Sequence, residues 1–241
     1  MIKSQIKKHL DTANISKPLF IASLILIIFG FINFLSASLG ILSRNEIKFF
    51  NMIETQIISY CIGFIALLVA LYIPYKIYYK YSIAIFVASI ILCFMVFIPG
   101  LGFSHGGGTR WINLFGFSLQ PGEILKFSSV IMTSWFIYKF QNKLNNIFIS
   151  IGIFGGIIGI SAVAMFLQKD LGTLLILGAA CFSVYFIGGA KLKHIALLGV
   201  VGTVVIAAYA YMNPYIMSRL DVFSNKTNDV LGSSYQTKQA L

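Results

Sequence analysis

The chain has 241 residues, of which 58% are hydrophobic and 10% charged, and its mean hydropathy is +0.88. Soluble domains average about 45–50% apolar and about 25% charged residues, so the composition argues against a water-soluble enzyme and excludes a disordered chain, which needs low hydrophobicity. Lys and Arg number 18 against 7 Asp and Glu, a net charge of +11, which in so apolar a chain reads as basic loops against an anionic leaflet, with no nucleic-acid partner.

The start, Met1 to Lys17, is polar and carries Lys3, Lys7, Lys8 and Lys17. Pro18 opens an apolar run to Leu42. That run exceeds the about 7–15 residues of a signal-peptide core and lacks a clear small-residue cleavage site, so it predicts a first transmembrane helix. Further apolar runs follow at Ile57–Ile73, Ile83–Leu101, Ile124–Tyr138, Ile147–Leu167, Leu171–Gly189 and Ile195–Met212. A span needs about 20 apolar residues. The runs are continuous rather than alternating, against the period of a membrane barrel. The predicted fold is all-α, a polytopic transmembrane bundle of about seven helices. It divides into a basic cytoplasmic tail (1–17), the bundle (18–212) and the start of a large extracytoplasmic loop (213–241).

Loop cations orient the bundle. With the first tail inside, the inner segments hold Lys3, Lys7, Lys8, Lys17, Lys76, Lys80, Lys139, Lys143, Lys191 and Lys193. The short outer loops hold only Arg44, Lys48, Arg110 and Lys169. The N-terminus is therefore expected in the cytoplasm of a multi-pass membrane protein. Cys61, Cys93 and Cys181 each stand alone in an apolar run and are expected to be buried thiols. His9, His105 and His194 fall in three different polar segments, which predicts no metal centre. No cofactor motif is evident, and a divalent cation stays compatible with the sequence.

Three outer segments carry candidate chemistry. The first runs from Gly106-Gly107-Gly108-Thr109-Arg110-Trp111-Ile112 to Gln120-Pro121-Gly122-Glu123. Glycines admit close backbone approach, Arg110 has a two-pronged guanidinium suited to phosphate, and Trp111 suits a membrane interface. Pro121 fits the first turn of a helix, which puts Glu123 and Lys126 on one face. At that depth ionisable groups face a cavity or each other. A plain loop, an interfacial anchor and a structural ion pair are the alternative.

The second segment is Gln168-Lys169-Asp170-Leu171-Gly172-Thr173. Asp170 either caps the following helix or stands at a polar cavity as a cation or sugar ligand. The third holds Arg219 and Asp221, then Asp229-Val230-Leu231-Gly232-Ser233-Ser234-Tyr235-Gln236. These side chains suit a sugar site, and an ordinary extracellular loop equally.

Together the three segments resemble the SEDS family (shape, elongation, division and sporulation; FtsW/RodA/SpoVE-like). Arg110-Trp111-Ile112 with Gln120-Pro121-Gly122-Glu123 and Lys126 is similar to R-W-I…Q-P-S-E-x-x-K. Asp170-Leu171-Gly172-Thr173 is similar to P-D-L-G-T, and Asp229 to Gln236 with Gln239 to D-P-L-G-S-G-Y-Q-x-x-Q. Gly122, Lys169, Val230 and Ser234 depart from the pattern, which changes local turns and removes no charged position.

The resemblance implies a peptidoglycan glycosyltransferase of the bacterial cytoplasmic membrane. It would polymerise lipid II, an undecaprenyl-linked disaccharide-pentapeptide, beside a class B penicillin-binding protein and other division or elongation proteins. It implies substrate-binding roles for Arg110, Glu123, Lys126, Asp170, Asp229, Tyr235 and Gln236, and structural roles for Trp111, Gln120, Pro121, Gly172 and Gly232. The family has about ten membrane helices, and its catalytic acid lies past the Tyr-Gln segment. The expectation is therefore a truncated chain with its main catalytic carboxylate beyond Leu241, and the catalytic residue stays unknown. A lipid II flippase and a non-catalytic divisome scaffold are the rival functions; the internal symmetry expected of a transporter is not visible.

Overall fold

The computed structural model describes residues 17–42, 46–105, 108–114, 117–213 and Met217. It contains seven α-helices among those residues: α1 (Lys17–Leu42), α2 (Glu46–Tyr72), α3 (Tyr75–Met95), α4 (Pro121–Phe140), α5 (Ile147–Leu167), α6 (Leu171–Ile187) and α7 (Leu192–Met212). Each overlaps one of the seven apolar runs, although the runs to Ile73, Leu101 and Gly189 continue past helices that end at Tyr72, Met95 and Ile187. In lipid every backbone N–H and C=O must be satisfied within the segment, and a helix does this alone. Five of the helices are long and apolar enough to cross a bilayer. Of the other two, α6 is a shorter apolar helix, and α4 carries Glu123, Lys126 and Lys139. The protein is a multi-pass membrane protein.

The helix boundaries differ from the hydropathy pattern at polar entrances. Helix α2 begins at Glu46, eleven residues before its apolar run at Ile57, and α3 begins at Tyr75 rather than Ile83. Polar and aromatic residues such as Asn51, Thr55, Tyr78 and Tyr79 extend a helix without raising its hydropathy. Helix α4 starts at Pro121, where proline needs no N–H partner.

The chain forms two compact units, Met1–Ile77 and Tyr78–Leu241. In the first, α1 and α2 touch through the rings of Phe31 and Tyr60, edge to face at 5.5 Å. Hydroxyls inside α2 fold back on its own carbonyls, Thr55 Oγ1 to Asn51 O at 2.8 Å and Ser59 Oγ to Thr55 O at 2.7 Å. Cys61 corrects the sequence reading: it is exposed, unlike Cys93 and Cys181. An apolar run in a membrane helix guarantees an apolar neighbour, not a protein one.

The second unit is built on α4, which packs against α5 and α6. Its core includes Phe86, Leu125, Phe136, Phe154, Met165 and Leu177. The ring of Phe154 stacks on Tyr185 with centroids 4.1 Å apart. Lipid is as apolar as leucine, so close packing and hydrogen bonds join such helices. Accordingly Ser89 meets Ser128 at 2.6 Å, Ser129 meets Ser161 at 3.3 Å, and Ser150 bonds the Tyr185 hydroxyl.

Between α3 and α4, where the sequence predicts a loop, the chain makes a small antiparallel sheet. It comprises β1 (Gly102–His105), β2 (Gly108–Leu114) and β3 (Phe117–Leu119), in the order β1-β2-β3. Phe103 pairs with Trp111 and Ile112 with Leu119, with a bulge between Phe103 and Ser104. Alternation along β2 decides what faces the bundle: Ile112 is 1% exposed, and Arg110, two residues away, shares its face. The single-sequence reading passed over this short period-2 pattern between long apolar runs.

Candidate functional site

Arg110 reaches the turn between α5 and α6. Helix α5 ends with Gln168 as its C-cap, and Lys169 then takes a left-handed φ of 56°. Asp170 N donates to Met165 O at 2.9 Å and Lys169 N to Phe166 O at 3.0 Å. This is a Schellman closure, usually built on glycine. Carbonyls of this turn also accept from side chains elsewhere. Arg110 Nε donates to Gln168 O at 3.3 Å, and Nη2 donates to Lys169 O. Tyr209 of α7 donates its hydroxyl to Phe166 O at 2.6 Å and stacks on the Phe166 ring at 4.3 Å. A cation at a helix C-terminus also complements the macrodipole.

Asp170 serves the next helix. Its Oδ1 accepts from Thr173 N at 3.2 Å, and its Oδ2 accepts from Thr173 Oγ1 at 2.8 Å. The capping alternative is therefore realised. Gln120, just before α4, adds a bond from Nε2 to Asp170 Oδ2 at 3.0 Å. Arg110 Nη1 lies 4.0 Å from Asp170 Oδ1. Thus the turn joins the negative end of α5 to the positive start of α6, and an Arg and an Asp complement those ends while facing each other.

Gln168 completes the cluster. Its side chain is fully buried; Nε2 donates to Cys93 O in the last turn of α3 at 2.9 Å, and Oε1 has no partner among the described residues. Gly108 of β2 permits this closeness, because a Cβ there would lie 2.7 Å from Gln168 O and 2.8 Å from Arg110 Nε. Its glycine character serves the chain's own backbone.

Glu123 and Lys126 form an ion pair on the first turns of α4, Lys126 Nζ to Glu123 Oε2 at 2.7 Å, with side-chain exposures of 57% and 23%. Arg110 is 18% exposed at its side chain. Of the other expected residues, Pro121 is buried in the first turn of α4, Trp111 sits on β2 opposite Phe103, and Gly172 lies in the first turn of α6. Gly106 and Gly107 lie outside the described residues, as do Asp229, Gly232, Tyr235 and Gln236.

The sequence reading placed Gln168 and Thr173 in its second segment without giving either a role, and it missed Tyr209. A glutamine closing a 21-residue apolar helix, and a threonine three residues after a capping Asp, were the available signals. Among the described residues no group of three His, Cys, Asp or Glu side chains could hold a metal ion.

A family model, that of the FtsW/RodA/SpoVE cell cycle proteins, matches residues 17–241. A probable peptidoglycan glycosyltransferase FtsW of Geobacter sp. (strain M18) is 28% identical over 218 residues, covering 90% of this chain and 59% of the relative. Stage V sporulation protein E of Bacillus subtilis (strain 168) is 27% identical over 223 residues, covering 92% and 61%. The chain thus spans about three fifths of the length of these relatives. Among solved structures, a chain of a peptidoglycan synthase complex matches with a TM-score of 0.59 at 19% identity, over 78% of this chain and 55% of the other. The rod shape determining protein RodA of Thermus thermophilus matches with a TM-score of 0.52 at 17% identity, over 68% and 55%. The solved structures support the fold.

Proposed function

The chain belongs to the FtsW/RodA/SpoVE family of cell cycle proteins, and on that premise we propose that it takes part in polymerising lipid II into glycan strands at the outer face of the bacterial cytoplasmic membrane. The family match over residues 17–241 carries this reading. The names of the relatives, probable peptidoglycan glycosyltransferases, support the reaction class. The lysine bias of the loops supports an N-terminus inside, which puts the β-sheet and the α5–α6 turn outside.

On this reading Lys126 contacts the diphosphate of the polyprenyl donor. Its partner Glu123 holds it in place and keeps its charge compensated until the anion arrives. Arg110 fixes the turn and lends its remaining N–H groups to the same anion. In the reaction the 4-hydroxyl of the acceptor sugar attacks the anomeric carbon, the bond to the lipid diphosphate breaks, and a base takes the hydroxyl proton. Both oxygens of Asp170 already accept hydrogen bonds, so Asp170 is a positioning group rather than that base. The base is assigned to none of the described carboxylates. Asp229, Tyr235 and Gln236 are proposed for the sugar-peptide head. A class B penicillin-binding protein is the proposed partner.

Labelled lipid II, supplied to the full-length protein with a class B penicillin-binding protein, tests the reading. Glycan product is the expected result. Translocation of lipid II without product would make the protein a flippase, and neither activity would leave a scaffold.

A further inference from the structure

Helix α4 has 20 residues, so its far end lies about 30 Å from the Arg110–Asp170 cluster, at the opposite side of a bilayer. There α4 and α6 enclose an open groove of about 350 Å³, walled by Ser134, Ile137, Tyr138, Gln141, Val184 and Ile187. Its volume lies within the range of ligand pockets. Close approach of the helices shapes its floor: a Cβ on Gly188 would come within 2.8 Å of the Ile137 Cδ1 atom. Tyr138 and Ile187 on its walls are 65% and 82% exposed.

Four lysines surround this end of the bundle. Lys139 lies in the last turn of α4, Lys143 closes the short 3-10 turn that follows, Lys191 caps α7 and Lys193 lies in its first turn. All four are exposed. Lys139 Nζ sits 4.6 Å from the centroid of the Trp135 ring. Tyr138 meets Tyr79 of α3 edge to face at 5.2 Å. From Phe127 to Asn213 the sequence contains one acidic residue, Asp170, and it lies at the other end. The lysine charge at this end is therefore uncompensated within these helices.

We propose that this groove is a binding site for an anionic glycerophospholipid of the leaflet opposite the Arg110–Asp170 cluster. The acyl chain lies between Ile137, Val184 and Ile187, and the lysines hold the phosphate. Basic pockets between membrane helices recognise anionic headgroups in this way, and aromatic side chains such as Trp135 and Tyr138 sit at headgroup level. A soluble anion leaves the apolar wall unused, and a neutral lipid leaves the lysines unused. The site is independent of the polymerase reading.

The test uses the 241-residue chain with Trp111→Phe, which leaves Trp135 as its one tryptophan. It is reconstituted in phosphatidylcholine vesicles containing brominated phosphatidylglycerol or, at equal fraction, brominated phosphatidylcholine. The expected result is stronger quenching of Trp135 by the brominated phosphatidylglycerol. Each of Lys143→Gln, Lys191→Gln and Lys193→Gln should lower its relative affinity about fivefold. Val184→Phe, which fills the groove, should remove the preference with every lysine intact. Native mass spectrometry of the unmodified chain gives a second readout, retention of phosphatidylglycerol over phosphatidylcholine, if the Trp111 variant does not fold. Equal quenching and equal retention of the two lipids, a preference that survives loss of all three lysines or filling of the groove, or full competition by soluble glycerophosphate would overturn the proposal.

Discussion

Replacing Arg110 separates a structural cap from a mere phosphate ligand. Arg110→Ala removes two charge-assisted hydrogen bonds to Gln168 O and Lys169 O and a 4.0 Å ion pair with Asp170. Hydrogen bonds to charged groups contribute about 1.5–3 kcal/mol each, and the long ion pair about 0–1. The side chain is 18% exposed, so water recovers part of this loss, leaving about 2–4 kcal/mol. On the scale of soluble domains of this size, with about 2–4 °C per kcal/mol, the melting temperature should fall by about 5–15 °C. Arg110→Lys keeps the charge without the fork and should lose about half as much. Lys169→Gly should restore part of the Arg110→Ala loss, because glycine accepts the left-handed φ of 56° without strain. Melting in detergent, followed by size exclusion after heating, reads all three. If Arg110→Ala melted with the wild type while losing lipid II binding, the guanidinium would be a ligand and not a cap. Read as a phosphate ligand alone, Arg110 gives that outcome; the geometry predicts loss of both stability and binding.

Three further outcomes concern this cluster and the Glu123–Lys126 pair. Gly108→Ala should displace Arg110 from the turn, because the added methyl meets Gln168 O at 2.7 Å, and overpacking of this kind costs about 1–3 kcal/mol; the melting point and the Arg110→Ala double variant check it. Gln168→Glu places a carboxylate in a fully buried position whose Oε1 lacks a partner among the described residues. It should destabilise more than Gln168→Leu, which leaves only the Cys93 carbonyl without its donor, and equal melting points for the two would contradict the burial argument. Glu123→Ala and Lys126→Ala should each change stability by less than about 1 kcal/mol, as solvent-accessible pairs with one exposed partner do, yet each should abolish polymerisation by the full-length protein. The double variant should be no worse than either single one, and additive losses would show that the two residues act separately.

Apolar run length by itself determined the seven helices and the membrane-spanning class, since a backbone in lipid has no alternative to internal hydrogen bonding. Chemical patterning also determined that Pro121 opens α4 and that Glu123 meets Lys126 one turn later, because both are local consequences of helix geometry. The partner of Arg110 was not legible. Its acceptors lie 58 to 60 positions further along the chain, and the contact exists only because a buried Ile112 turns one face of β2 onto the bundle. Nor did the sequence decide which apolar side chains touch protein: Cys61 and Cys181 sit in similar runs, and only packing exposes one and buries the other. Hydropathy fixes that a helix lies in the membrane; which of its faces meets another helix depends on side-chain shape and hydrogen bonds across the interface, and these are properties of the assembled bundle.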